Sequence, residues 1–201
     1  MKPQAYPRVV RTANVANQRV RYDGFAMSLH WLTVILVLAQ LATSQIWGFL
    51  PRPERHPWIV AHMSFGILLA GVVSLRLVWR LIPTHRLPSA VTGWMKIMST
   101  TVAGLLYAAL TLQAVLGIVL RWSGDEAMSF FGLLIGPPFA PSSKSTHEVI
   151  GDCHNLLGWS IIFLALGHAT AALFHHYALH DDVLWRMLPG RFDRRGKGQV
   201  S

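Results

Sequence analysis

Four stretches of this 201-residue chain contain no Asp, Glu, Lys or Arg: Gly24 to Leu50, His56 to Leu75, Ile97 to Leu120 and Cys153 to His180. Each runs for roughly 20 residues or more, the length a helix needs to cross a bilayer's hydrocarbon core. With 52% hydrophobic and 13% charged residues, the composition is too apolar for a soluble domain of this size. The expected fold is all-α, an integral membrane four-helix bundle with helices at about 24–50, 57–82, 95–121 and 149–180. Only a 1–23 extension and a basic 181–201 tail are left outside the 24–180 transmembrane domain.

Of the 18 Lys and Arg residues, 14 fall before the first window, around the second connection (Arg76, Arg80, Arg86, Lys96) or in the tail. The other connections hold only Arg52, Arg55, Arg121 and Lys144. By the positive-inside rule both termini are expected in the cytoplasm and the odd-numbered connections in the periplasm. The net charge of +9 is therefore a topology signal, and no nucleic-acid partner is expected. The basic, polar first 23 residues lack the short apolar core of a cleaved signal, so the N-terminal segment is expected to be retained.

Breakers punctuate the windows: Pro51 and Pro53, Pro83 and Pro88, then Pro137, Pro138 and Pro141. Trp31, Trp47, Trp58, Trp79, Trp94 and Trp122 fall near helix ends, where an indole prefers the headgroup level. The connection from Trp122 to Ser145 is long for a bundle and apolar at its centre, and is expected to cover the periplasmic mouth.

His154 and His168 lie fourteen residues apart, nearly four helical turns, so they share one face and are separated by ~21 Å along the axis. With the topology above, His62 falls on the level of His154, and His30 on the level of His168. Intramembrane ionisable residues are functional candidates, and four that pair by level suggest two stacked metal centres. A bis-imidazole set at each level fits haem b held by axial nitrogens from flanking helices. No Cys-x-x-Cys-His motif is present, so the haems would be non-covalent. Zinc would want three or four clustered ligands, including Cys or carboxylate, which these depths lack.

Gly66 and Gly158 each follow a predicted ligand by four residues, where bare backbone would let a flat macrocycle approach. Arg76, fourteen after His62, is placed on the lower level as a partner for haem propionates. His175, seven after His168, sits ~10 Å closer to the cytoplasm, where its imidazole could exchange protons with a quinone. His56, His85, His147 and His180 are expected in loops or at helix ends and, like His176, are assigned no role. Cys153 is read as a small apolar residue.

The segments Ser28-Leu29-His30-Trp31-Leu32, Ala61-His62-Met63-Ser64-Phe65-Gly66, Arg76-Leu77-Val78-Trp79-Arg80, Gly167-His168-Ala169 and Ala172-Leu173-Phe174-His175-His176-Tyr177, followed by Leu184-Trp185-Arg186-Met187-Leu188-Pro189, resemble the bacterial cytochrome b561 family over roughly residues 22–190. The resemblance implies a multi-pass protein of the bacterial inner membrane with two bis-histidine b haems, exchanging electrons between the periplasmic side and the quinone pool. It supports His30, His62, His154 and His168 as iron ligands.

Two functions are compatible with this plan. One is a free-standing superoxide:ubiquinone oxidoreductase, the activity of a family member that this chain resembles, with the periplasmic cations steering the small anion. The other is a cytochrome b anchor that passes electrons from a periplasmic dehydrogenase or hydrogenase to quinone. A transporter or channel with structural histidines would need no haem.

Overall fold

A computed structural model describes residues 21–83, 89–181 and 183–188. His85, Arg86, residues 1–20 of the N-terminal extension and residues 182 and 189–201 of the basic tail lie outside the described residues. Four helices carry the chain: α1 Gly24–Phe49, α2 His56–Leu81, α3 Gly93–Ser123 and α4 Lys144–Tyr177. All four are long and apolar enough to cross a membrane. We call "upper" the end that holds the C-termini of α1 and α3 and the N-termini of α2 and α4.

Extensive packing joins α1 to α2, α3 to α4, and the two helix pairs through α2 and α3. No comparable packing joins α4 to α1 or α2, so side chains from these helices face one another across a gap. The buried core is small: Leu36, Leu69 and Val73, with Phe65, Tyr107 and Leu110 packed against it. Large apolar residues are exposed along every helix, among them Ile35, Leu68, Leu105 and Phe163. Such a surface suits lipid as solvent, where association rests on close packing and internal hydrogen bonds. Buried hydroxyls accordingly bond back to their own helices, Thr33 to the Leu29 carbonyl and Ser64 to that of Val60.

At the lower end Asp23 links two helices. Its Oδ1 accepts the Ala26 N–H as the N-cap of α1, and its Oδ2 accepts the Trp79 indole N–H of α2 at 3.1 Å. Residues 183–188 fold back beneath α1, where the Met187 carbonyl accepts the Trp31 indole N–H and the Arg186 carbonyl accepts the Tyr22 N–H.

Two expectations are corrected at the upper end. First, α4 starts at Lys144, about five residues before the expected 149, because Ser143 caps it by accepting the Thr146 N–H; His147 lies at this helix end, as expected. Second, the α3–α4 connection does not simply cover the mouth. It forms an antiparallel hairpin, β1 Met128–Phe130 with β2 Leu133–Ile135, that packs mainly on α2. Its two-residue turn places both Phe131 (φ 48°) and Gly132 (φ 95°) in left-handed backbone, the twist that tight hairpins require.

Replacing Asp23 with Ala should cost about 0.5–2 kcal/mol through the lost cap. Thermal unfolding in detergent should show a lower midpoint, with Asp23→Asn retaining part of the difference; an unchanged midpoint for Asp23→Ala would count against the link.

Candidate functional site

His62 projects from α2 and His154 from α4 into the gap between the helix pairs, with ring centres 6.4 Å apart. Two imidazoles on opposite sides of one metal, at about 2 Å per metal–nitrogen bond, bring their ring centres to roughly this separation. The His62 tautomer follows from its neighbours. Thr43 donates its hydroxyl proton to the Ala39 carbonyl at 2.8 Å, so its oxygen accepts from His62 Nδ1–H at 3.1 Å. The Nε2 lone pair of His62 is thereby left for a ligand bond, and a fixed Nδ1–H partner raises the basicity of such a ligand. Trp47 backs the ring edge-on at 4.9 Å.

Each of these histidines is also held through its backbone, by a glutamine from the preceding helix. Gln40 donates its amide to the His62 carbonyl, and Gln113 to the His154 carbonyl, both at 3.0 Å. A Cβ on Gly66 would stand 2.8 Å from the Gln40 amide nitrogen, and one on Gly158 would stand 3.2 Å from that of Gln113. The glycines four residues beyond each histidine thus admit a glutamine, which replaces the sequence-based reason for them, the approach of a flat macrocycle. The His154 ring lies against α3 at Gly117, where a Cβ would come within 3.1 Å of it. His154 Nδ1, Gln113 Oε1 and Gln40 Oε1 are buried without a hydrogen-bond partner, so this level carries unused polar capacity.

The lower level is arranged differently. Arg76 donates from Nη2 to His30 Nδ1 at 3.1 Å, and its guanidinium lies 5.3 Å from the centre of the Tyr107 ring. Arginine is only ever a donor, so in this arrangement the His30 proton sits on Nε2. The spacing from His62 to Arg76 thus brings the arginine to the His30 level. His168 is exposed on α4, across the gap that separates this helix from α1.

Further residues lie on the same stripe of α4. His147, seven before His154, has Nδ1 2.8 Å from Ser123 Oγ on α3. Ser123 donates to the Leu120 carbonyl, so the imidazole is the donor in this pair. Ile161, midway between His154 and His168, is the buried residue of α4, 4% exposed. His175, seven after His168, pairs through Nδ1 with the Asp181 carboxylate, whose Oδ1 accepts the Val183 N–H. His176 instead stacks edge-on against Trp185. Asp181 was not foreseen, because only the turn after α4 brings it back to His175. At the upper end Arg121 pairs with Glu126, and Lys144 lies 3.9 Å from Glu148.

A family model described as prokaryotic cytochrome b561 matches residues 21–190. The chain belongs to the prokaryotic cytochrome b561 family. Cytochrome b561 homolog 1 of Escherichia coli K12 is 31% identical over 180 residues, covering 85% of this chain and 98% of the relative. The probable superoxide oxidase CybB of Yersinia pestis is 29% identical over 174 residues, covering 84% and 96%. Cytochrome b561 homolog 2 of E. coli K12 is 28% identical over 176 residues, covering 86% and 93%. As a member of this family the chain is a multi-pass membrane protein of electron transfer that binds haem b. The upper histidine pair fits such a group by its ring separation and by the Nε2 that Thr43 leaves available on His62, while on His154 Gln113 reaches Nε2 at 3.2 Å and Nδ1 is the nitrogen without a partner.

The glutamine clamps can be tested without reference to haem. Gly66→Ala should destabilise the protein by about 1–3 kcal/mol, because the new methyl expels the Gln40 amide and leaves it unpaired. Gln40→Ala combined with Gly66→Ala should recover part of that loss in a double-mutant cycle read by thermal unfolding. Strict additivity of the two changes would argue against the clamp.

Proposed function

We propose that this chain is a two-haem superoxide:ubiquinone oxidoreductase, with His62 and His154 holding one haem b and His30 and His168 the other. The observation that carries this reading is the His62–His154 pair, two rings 6.4 Å apart on helices without extensive packing between them. The relative named a probable superoxide oxidase, matched along nearly its whole length, supports the choice of substrate. The 14-to-4 division of Lys and Arg supports a periplasmic upper end and cytoplasmic termini in the bacterial inner membrane.

Bound haem supplies a one-electron carrier at each level. The overall reaction takes one electron from each of two superoxide anions, releases two O2, and delivers two electrons and two protons to ubiquinone as ubiquinol. Thr43, Gln40 and Gln113 fix the upper imidazoles, so ligand geometry is set before an electron arrives. Arg76 would pair with a propionate of the lower haem, and His30 and His168 would hold its iron. His175 delivers protons to the quinone, its Nδ1 held by Asp181 so that Nε2 is left for the transfer. Superoxide approaches near the upper pair. Because Arg121 and Lys144 already face carboxylates, steering there is weaker than four uncompensated cations would give.

The purified chain should carry two b haems and reduce ubiquinone with superoxide as sole donor. His62→Ala or His154→Ala should remove one haem from the absorption spectrum, and His30→Ala or His168→Ala the other. Turnover that appears only with a co-purifying dehydrogenase or hydrogenase would replace this reading with the anchor-subunit one. His175→Ala should lower quinone reduction by about 10²-fold or more with both haem spectra intact; undiminished turnover would remove His175 from the mechanism.

A further inference from the structure

The β1–β2 hairpin lies where lipid rather than water or protein is expected. Ser64 is two residues from His62, about 200° around α2, so it faces away from the gap that holds the imidazoles. Ser64 is fully buried, and what covers it is the hairpin: its Oγ accepts the Phe131 N–H at 2.9 Å and lies 3.4 Å from the Ser129 carbonyl. Phe131 meets Phe65 of α2 with ring centres 6.3 Å apart. The hairpin therefore packs on the outer flank of the bundle.

Its depth follows from α2. Ser64 is eight residues from the upper end of that helix, ~12 Å down its axis. A 26-residue helix is about 39 Å long against a hydrocarbon core of ~30 Å, so when centred it projects only about 5 Å beyond each boundary. The turn at Phe131 and Gly132 thus reaches several ångströms below the boundary, to the level of the upper histidines.

The chemistry of the hairpin matches that position. No charged residue occurs from Ala127 to Ser143, while Arg121, Asp125 and Glu126 stay at its root. Phe131, Leu133, Leu134 and Ile135 are 62%, 66%, 69% and 44% exposed, continuing the exposed apolar surface of the helices. The N–H groups of the turn are satisfied internally, Phe131 by Ser64 and Gly132 by Ser129 Oγ, and the Trp122 indole donates to the Ile135 carbonyl. Backbone at membrane depth needs such internal partners, and the outer edge of β2, which pairs with no further strand among the described residues, limits the hairpin to the upper part of the leaflet.

We propose that the β1–β2 hairpin is inserted in the upper leaflet, packed on the outer flank of α2 with Phe131 and the β2 side chains against lipid acyl chains. Ser64 is the polar anchor that makes the insertion tolerable, and the charged root holds the connection at the interface.

Nitroxide labels test this in phosphatidylcholine vesicles, on the full chain carrying Cys153→Ser to remove its native thiol. Leu134→Cys is compared with Phe163→Cys, exposed halfway along α4, and with Glu54→Cys in the upper connection. The label at Leu134 should collide with dissolved O2 and be shielded from a water-soluble nickel chelate, its O2-to-nickel ratio lying between those at Phe163 and Glu54 and exceeding that at Glu54 severalfold. A ratio like that at Glu54 would make the hairpin an aqueous loop. Shielding from both reagents, or spin–spin broadening, would mean that another protein or a second copy covers it, and either would overturn the proposal. Leu133→Cys should repeat the result, which separates a true lipid position from disturbance by one label.

Discussion

Inside the spans no water is at hand, so each polar group must find its partner within the protein, and much of the architecture follows from meeting that demand. Asp23 is shared between the cap of α1 and the Trp79 indole of α2. Thr43 spends its proton on its own helix and its lone pair on His62. Ser64 bonds one turn back and also accepts from a hairpin far along the chain. In water such bonds would compete with solvent and contribute little; in lipid the alternative to each is an unpaired group, so they set which helices meet and in what register.

The two helix pairs meet the demand in the same way. In each, a glutamine on the first helix reaches the carbonyl of a histidine on the second, and a glycine four residues beyond makes room for the amide. Repetition of one solution on α1–α2 and α3–α4 places the two imidazoles on one level without direct packing between their helices. The pairs differ at the imidazole itself, since Thr43 serves His62 Nδ1, whereas on His154 Gln113 serves Nε2 and Nδ1 has no partner. The upper level is therefore symmetric in its backbone and asymmetric in its chemistry.

Sequence periodicity and charge revealed the parts governed by local rules. Charge-free windows located all four helices, the charge-derived topology put His62 level with His154, and the fourteen-residue interval from His62 put Arg76 on the lower level, where it meets His30. Relations that depend on distant segments meeting were hidden. Gln40 and Gln113 read as ordinary polar residues in apolar runs until the glycines opposite them are seen, and Asp181 becomes a partner for His175 only through a turn at its helix end. The early start of α4 turned on a single capping serine, Ser143, which a proline-rich stretch obscured. The path of the hairpin was masked because its apolar residues suit a lid as well as a lipid-facing strand.

Histidines occur at every seventh position of α4 from 147 to 175 except the central one, where the stripe holds Ile161. That substitution makes the middle of the stripe an insulator. His154 and His168 stand ~21 Å apart along the helix, and two unit charges at that distance interact by about 0.8 kcal/mol at an effective dielectric of ~20. This is less than the ~1.4 kcal/mol that makes a tenfold change in an equilibrium constant. A charge arriving on one level would hardly disturb the other, so the two levels can be tuned separately, each by its own neighbours.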